Sequence, residues 1–444
     1  MKVNLVSLGC VRNLVDSEIM LGRLTEAGWT VTDDPAQADV IVVNTCSFIT
    51  DAANEAIDTI LELAKFKQTG NCRALIVAGC LPERFRENIA EAMPEADMFL
   101  GTAAFDKIAE VADSVLKSEI PKSKCLLPDP NSIFLSDGPR IRDCSHSAYI
   151  KVAEGCSRQC TYCIIPKLRG KQRSRDPKKI LAEARALVRA GVKELIPVAQ
   201  DTTNYGKDLT PGADLGSLLS KMSALSDDLW IRFLYGHPES IADSLIRTVA
   251  RHPNICPYFD LPIQHAANKI LKRMGRKYLQ EDLQRLFDNI RKIIPDACLR
   301  TTVIVGFPGE TEKEFNSLLR FVEDIRFDHL GVFMYSDADD LPSHRLSGHV
   351  PKKTANERHD RIMSRQLEIS MENNQRYLNK RLKVLVEEKP EDNLFIGRTV
   401  FQAPEVDGIT YIHSNIHSKQ LQIGEFADVL ITDTLEYDLI GDAV

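Results

Sequence analysis

The sequence predicts an α/β protein built in three successive parts: a parallel sheet covered by helices, a partial barrel of six strand–helix units, and a small antiparallel β-barrel. Three observations predict it. From Met1 to about Ala112, short apolar runs alternate with helical patterns, which implies parallel strands joined by crossover helices. From about Ala148 to Arg376 the alternation continues through six further strand-like runs. Beyond about Tyr377 the helical patterns stop, and short strand-like runs are separated by glycine and proline turns.

In the first part, KVNLVSLG, DVIVVNT and ALIVAG are apolar on both faces, as strands buried between helical layers must be. SEIMLGRLTEAG, DAANEAIDTILELAKF and PERFRENIAEAM supply the helices. The arrangement predicted is a flavodoxin-like layer. Residues 117–147 read as a linker, because Pro121, Pro128, Pro130 and Pro139 stand there among Ser, Asp and Gly. In the second part the strands are AYIKVAE, ELIPVAQ, WIRFLYG, YFDLPIQ, LRTTVIVGF and HLGVFMY, forming a (βα)6 partial barrel. The helical stretch TANERHDRIMSRQLEISMENNQR closes it. LKVLVEE, FIGRTVFQ, ITYIHS and FADVLITDT are the strands of the last part. The expected domain limits are therefore 1–116, 148–376 and 377–444.

Composition narrows the function classes. Of 444 residues, 43% are hydrophobic and 27% charged, which suits globular domains with sizeable cores. A formal net charge of −7 argues against a chain dominated by nucleic-acid binding. The start, MKVNLVSLGCVRN, reads as a strand and turn rather than a signal peptide, and no run of about 18 apolar residues suggests a membrane span. The expected location is the cytoplasm. There the eleven cysteines read as metal ligands and core thiols rather than disulfides.

Three cysteines carry most of the chemistry. GCSRQCTYC places Cys156, Cys160 and Cys163 in a C-x3-C-x2-C run just after the first strand of the second part, where barrels keep their catalytic groups. Three thiolates at this spacing can hold three irons of a four-iron, four-sulfur cluster. The fourth iron, which usually takes a fourth cysteine, is left open to a small molecule. Structural zinc is the plain alternative, but it calls for four closed ligands, and no fourth stands at a matching spacing. In the first part, each of the three strands ends in a cysteine: Cys10, Cys46 and Cys80. Ligand sites of open parallel sheets gather outside the carboxyl ends of strands, so a second three-thiolate site is expected there. The competing reading is three buried core thiols. Cys72, Cys256 and Cys298 read as packing, and Cys125 and Cys144 carry no motif.

LGCVRNLVDSE at the start, GCSRQCTYCIIPKLRGKQRSR at the centre and the small barrel at the end together resemble the methylthiotransferases, a radical S-adenosylmethionine (SAM) family. The resemblance runs over essentially the whole chain. It implies a radical SAM core with a SAM-cleaving cluster on Cys156, Cys160 and Cys163, and an auxiliary cluster on Cys10, Cys46 and Cys80. It further implies a C-terminal TRAM barrel that contacts a macromolecular substrate. Two 4Fe–4S clusters and SAM, as radical source and methyl donor, would be the cofactors, with an external electron donor and a sulfur donor as partners. Beyond the cluster ligands, no catalytic residue is implied. Gln200 and Asp201, at the end of the second barrel strand, and Gly306, Pro308, Gly309 and Glu310, at the end of the fifth, look like family motifs that line the SAM pocket; a plain strand-to-helix turn is the competing reading for the latter. Lys167, Arg169, Lys171, Arg173 and Arg175 follow the cluster motif and are expected either in a solvated loop or with some of them facing SAM's carboxylate or an acidic substrate group. His237, in HPE, reads as a hydrogen-bonded packing residue.

The family has two main branches, one acting on a tRNA adenosine and one on the β-carbon of an aspartate in small-subunit ribosomal protein twelve. The tRNA branch typically has Gln-Met-Asn where this chain has Val11, Arg12 and Asn13. The stretch from Arg376 to Val444 carries seven Lys or Arg against twelve Asp or Glu, which suits a basic protein better than RNA phosphates. The ribosomal protein, free or within the ribosome, is thus the expected substrate. A tRNA methylthiotransferase and a non-enzymatic iron–sulfur module that binds RNA or protein are the alternatives. No membrane partner is expected, and a monomer is the default.

Overall fold

The computed structural model describes residues 1–117, 123–132, 138–142, 144–209, 212–414 and 421–444. The chain forms two compact units, one of Met1–Asp143, Ala153–Gln159 and Cys163–Arg175, the other of Cys144–Val152, Cys160–Tyr162 and Asp176–Val444.

The first unit is built on a parallel sheet ordered β2-β1-β3-β4-β5-β6. Its strands are β1 (Lys2–Ser7), β2 (Thr30–Val31), β3 (Val40–Thr45), β4 (Ala74–Gly79), β5 (Met98–Leu100) and β6 (Cys125–Leu126). Every residue of β3 and β4 is buried. Because side chains alternate along a strand, Val40 and Val42 face one apolar cluster, with Met20 and Leu24 of α1 (Val11–Glu26) and Ile108 and Val111 of the helix at Ile108–Leu116. Ile41 and Val43 face another, with Ala56 and Ile60 of α2 (Thr50–Ala64). The strand order reverses between β1 and β3, the switch point at which flavodoxin-like sheets bind ligands.

Three departures from expectation concern this unit. β2, β5 and β6 were not foreseen; they are two or three residues long, too short for a period-2 pattern. Cys125, expected in a linker, pairs with Phe99 across β5 and β6. Pro121 of that linker lies outside the described residues. The helix expected over PERFRENIAEAM is broken: Cys80–Phe85 is helical, and Arg86 adopts a positive φ of 54° before a second short helix at Ile89–Ala92.

In the second unit six parallel strands follow in sequence order. They are β7 (Ser147–Lys151), β10 (Glu194–Val198), β11 (Trp230–Ile231), β12 (Tyr258–Asp260), β13 (Cys298–Val305) and β14 (His329–Met334); β8 (Ala153–Glu154) and β9 (Arg173–Ser174) form an antiparallel ribbon in the first unit. They fall into two three-stranded sheets, β7-β10-β11 and β12-β13-β14, linked by a parallel bridge from Ile231 to Ile255. This is the open (βα)6 barrel expected. Its helices start where capping residues stand: Asp176 accepts from the Lys178 N–H, Asp214 from the Ser217 N–H, and Thr311 with Glu314 forms a capping box. The arginine-rich stretch is one helix, Lys352–Asn374.

The C-terminal part is a closed barrel ordered β15-β16-β17-β19-β18, with β15 (Arg381–Glu391), β16 (Leu394–Thr399), β17 (Thr410–His413), β18 (Phe426–Thr434) and β19 (Leu439–Ala443). Two details correct the sequence reading. There is a fifth strand, β19, and it runs parallel to β17, so the barrel is antiparallel except at one pair. The chain returns along β18 beside β15 and then inserts β19 into the gap beside β17, which closes the sheet and removes its free edges.

This small barrel is seated on the amino ends of the six parallel strands. Glu194, the first residue of β10, takes Arg398 of β16 at 2.6 Å and Arg232 at 2.8 Å. Tyr258, first in β12, donates to Asp407 at 2.5 Å, and His329 and Cys298, first in β14 and β13, reach the Phe401 carbonyl at 2.9 and 3.4 Å. The barrel thus closes the end opposite the one where catalytic groups of such folds gather.

Candidate metal centres

The sheet of the first unit brings Cys10, Cys46 and Cys80 to one edge. Register sets Ser7, Asn44 and Ala78 level across β1, β3 and β4, so the residues just beyond them emerge side by side. Cys10 stands at the N-cap of α1, where the backbone N–H groups of Arg12 and Asn13 favour its thiolate. Cys46 follows β3 directly and receives the Phe48 N–H. Cys80 is the first helical residue after β4. Gly9 shows how close the approach is: at φ +90° a Cβ there would lie 2.5 Å from the Cys46 Cβ. Asn13, which the sequence offered only in the comparison of branches, ties the edge together. Its Nδ2 donates to the Leu8 and Thr45 carbonyls at 3.0 and 2.9 Å, and Asn44 donates to the Asn13 carbonyl at 2.9 Å.

The three thiols feel one another's charge. Burial pushes Cys80 up to about 11 and raises Cys46 as well. At Cys10 burial is outweighed by the Arg12 and Arg169 guanidinium groups and by the two N–H donors, which hold it below the ordinary thiol value. Among the described residues, no three of His, Cys, Asp and Glu are arranged to grip a single ion. Three thiols around a shared cation at a sheet edge suit a polynuclear centre, in which each sulfur binds its own iron.

The central run is held from both sides of its own sequence. Gly155 has φ +78°, and a Cβ there would lie 2.3, 2.6 and 2.7 Å from the carbonyl oxygens of Lys171, Gly170 and Arg169. Next to it, the Cys156 N–H donates to Gly170 at 3.0 Å. In the second unit, Thr161 donates through its N–H to Met274 at 3.1 Å and through its hydroxyl to Arg273 at 2.9 Å. Tyr162 accepts from Arg276 at 2.5 Å and packs edge-on against Phe307. Arg276 also meets the His237 ring and feels the charge of Cys160. All three cysteines of the run are partly exposed. Sequence reasoning missed Arg276 altogether, since nothing near it in the chain marks it, and left His237 off the site; its place at a strand end was the available signal.

The remaining sequence-predicted residues fall at carboxyl ends of the six strands. Gln200 and Asp201 follow β10, and the buried Asp201 accepts from the Thr203 hydroxyl at 2.9 Å. Gly306, Pro308, Gly309 and Glu310 follow β13. Gly309 donates to Gly348 at 2.7 Å. Glu310 turns inward: its carboxylate takes the Gly306 N–H, Arg358 at 3.1 Å and His265 at 3.4 Å. The basic run divides. Lys167 and Lys171 are exposed, Arg173 and Arg175 are half-buried, and Arg169 is buried. Arg169 corrects the expectation of a cation facing SAM or substrate. Its guanidinium is held by Asp16 at 2.8 Å and Glu154 at 3.4 Å, beside the Cys80 sulfur at 3.7 Å. Cys72, Cys256 and Cys298 are buried, as expected of packing thiols.

Residues 2–101 match the Uncharacterized protein family UPF0004, residues 150–322 the Radical SAM superfamily, and residues 380–444 the TRAM domain. Over its whole length the chain is 53% identical to the ribosomal protein uS12 methylthiotransferase RimO of Desulfosudis oleivorans, with all of both chains covered. It is 48% identical to the same-named protein of Clostridioides difficile, covering all of this chain and 99% of that one. The chain belongs to the RimO family of methylthiotransferases. It is accordingly a radical SAM transferase whose cofactors are SAM and two 4Fe–4S clusters. Among solved structures, the radical SAM methyltransferase TsrM of Kitasatospora setae, with cobalamin and a 4Fe–4S cluster bound, superposes with a TM-score of 0.57 at 14% identity over 77% of each chain. That likeness concerns the fold. Among the described residues, no helix is long and apolar enough to cross a membrane.

Proposed function

We propose that this RimO-family chain inserts sulfur and a methyl group at the β-carbon of an aspartate in ribosomal protein uS12, with Cys156, Cys160 and Cys163 holding the SAM-cleaving cluster and Cys10, Cys46 and Cys80 the auxiliary one. The observation that carries the division is the grouping of the second trio at one sheet edge around Arg169. When bound, the clusters and SAM supply the one-electron chemistry that an unactivated C–H bond requires and that no side chain provides. The chain's own residues hold and shield. Gly155, Thr161 and Tyr162 fix the loop that carries the three central cysteines. Gln200, Asp201, Gly306, Pro308 and Gly309 line the SAM position, and Glu310 keeps the turn beneath it in shape. The domains serving these roles are 1–116, 148–376 and 377–444, with 117–147 between the first two.

The relatives' name supplies the substrate, and the excess of acidic residues in the last domain supports it, since complementary charge favours a basic partner. An electron donor and a sulfur donor act from outside, on a monomer in the cytoplasm. The test is an anaerobic assay of reduced protein with SAM and uS12, following 5′-deoxyadenosine and the modified aspartate by mass spectrometry. Cys156→Ala should abolish both products. Cys46→Ala should keep SAM cleavage and lose methylthiolation; equal loss of both in that variant sinks the division of labour.

A further inference from the structure

We propose that Arg169 is a positioning and charge-balancing residue of the Cys10–Cys46–Cys80 centre, aimed at its sulfurs by two buried carboxylates and one amide. The proposal rests on the assignment of that trio to the auxiliary cluster. Arg169 is 2% exposed and lies in the first unit with all its partners. Its planar fork is divided by function. One nitrogen, Nη1, is taken by Asp16 at 2.8 Å and Glu154 at 3.4 Å. The other, Nη2, donates to the Asn13 side-chain amide oxygen Oδ1 and meets the Cys80 sulfur, the latter at 3.7 Å. The Phe105 ring lies 5.8 Å from the guanidinium carbon.

The amide contact extends the reach of the group to all three cysteines. Asn13 spends both its Nδ2 hydrogens on the Leu8 and Thr45 carbonyls, so its oxygen is left for Arg169. Leu8 precedes Cys10 by two residues, and Thr45 directly precedes Cys46. Arg169 therefore touches Cys80 itself and braces the turns that present the other two. A buried guanidinium costs too much to leave unpaired, and a buried pair of acids on its far side keeps it there. The next residue, Gly170, accepts the Cys156 N–H. The same two-residue step thus braces the auxiliary thiols and the start of the SAM-cluster loop. A cation and an N–H donor at a cluster sulfur stabilise the reduced, more negative state and raise its potential. Lysine cannot substitute, because a point charge cannot serve carboxylates on one side and an amide and sulfur on the other.

The test uses the full chain with Cys156, Cys160 and Cys163 all changed to Ala, so that iron, sulfide and electron paramagnetic resonance report the other centre alone. Reduced fractions are measured at fixed potentials in this parent and with Arg169→Gln or Arg169→Lys added. At the parent's midpoint, Arg169→Gln should lower the reduced-to-oxidised ratio roughly tenfold, equivalent to about 59 mV for one electron, and change the resonance signature. Arg169→Lys should restore part of the ratio and not the signature. If Arg169→Gln fails to fold, by circular dichroism, the decision passes to Arg169→Lys, where a parent-like signature overturns the proposal. An unchanged ratio and signature in a folded Arg169→Gln also overturn it. A parent that holds no four-iron centre overturns the assignment of the trio, and this role with it.

Discussion

The two cysteine trios are built in opposite ways. Cys156, Cys160 and Cys163 lie within eight residues of chain, in a loop that leaves each partly exposed. Cys10, Cys46 and Cys80 span seventy-one residues and meet only because three parallel strands end level. A loop can be aimed by a glycine and a few backbone hydrogen bonds. A sheet edge needs a packed core on both faces before its residues converge. The first trio is therefore set by a short stretch of chain and stays partly exposed, as the SAM site proposed for it requires. In the second, Cys10 and Cys46 are also partly exposed, and Cys80 alone is buried, beside a buried cation.

The largest effect that could break this contrast is at Gly155. A side chain there meets three carbonyl oxygens at under 3 Å and also faces a positive φ, so Gly155→Ala should cut 5′-deoxyadenosine formation by on the order of a hundredfold, a strain of about 3 kcal/mol on the loop. Iron analysis should show the auxiliary centre still loaded. Gly9→Ala should do the reverse. Its Cβ would overlap that of Cys46, so iron content should fall by about half while SAM cleavage persists; loss of cleavage as well would mean that the trios are not separable.

A third effect separates both sites from the scaffold. Two buried arginines, Arg398 and Arg232, overcome burial and hold the Glu194 carboxyl down at about 2. Its folded value lies below its ordinary one, so its stabilisation is present above about pH 5 and is lost as the pH falls toward 2. The unfolding free energy of the cluster-free protein, from urea titrations, should drop across that window by an amount on the order of 3 kcal/mol, and Glu194→Gln should flatten the drop. The smallest effect concerns a thiol in neither trio. Burial raises Cys144, but His146 and the Ser147 N–H more than offset it and leave it below the ordinary value; Cys125 is raised by burial. Limited alkylation near pH 7 should mark Cys144 several-fold faster than Cys125, since the thiolate is the reactive form.

Much of the fold was legible because it is written locally. Val40 to Val43 and Ala74 to Gly79 announce buried strands by being apolar at every position. β5, β6 and β19 escaped because two to five residues carry too little pattern, and their pairing depends on a neighbouring edge. The parallel pairing of β17 and β19 belongs to closure of the barrel, which no single strand encodes.

By itself the sequence determined the cysteine spacing of the central loop, the alternation that makes the three parallel sheets, and the placement of six cysteines beyond strand ends. These depend on neighbours a few residues away, where backbone geometry and side-chain period leave little freedom. Tertiary structure alone decided which charge faces which. It turned Arg169 toward Asp16, 153 residues away, and Glu310 toward Arg358, and it set the last barrel under the amino ends of the strands. A buried charge takes whatever partner the packed core brings within reach, and that partner's distance along the chain carries no signal.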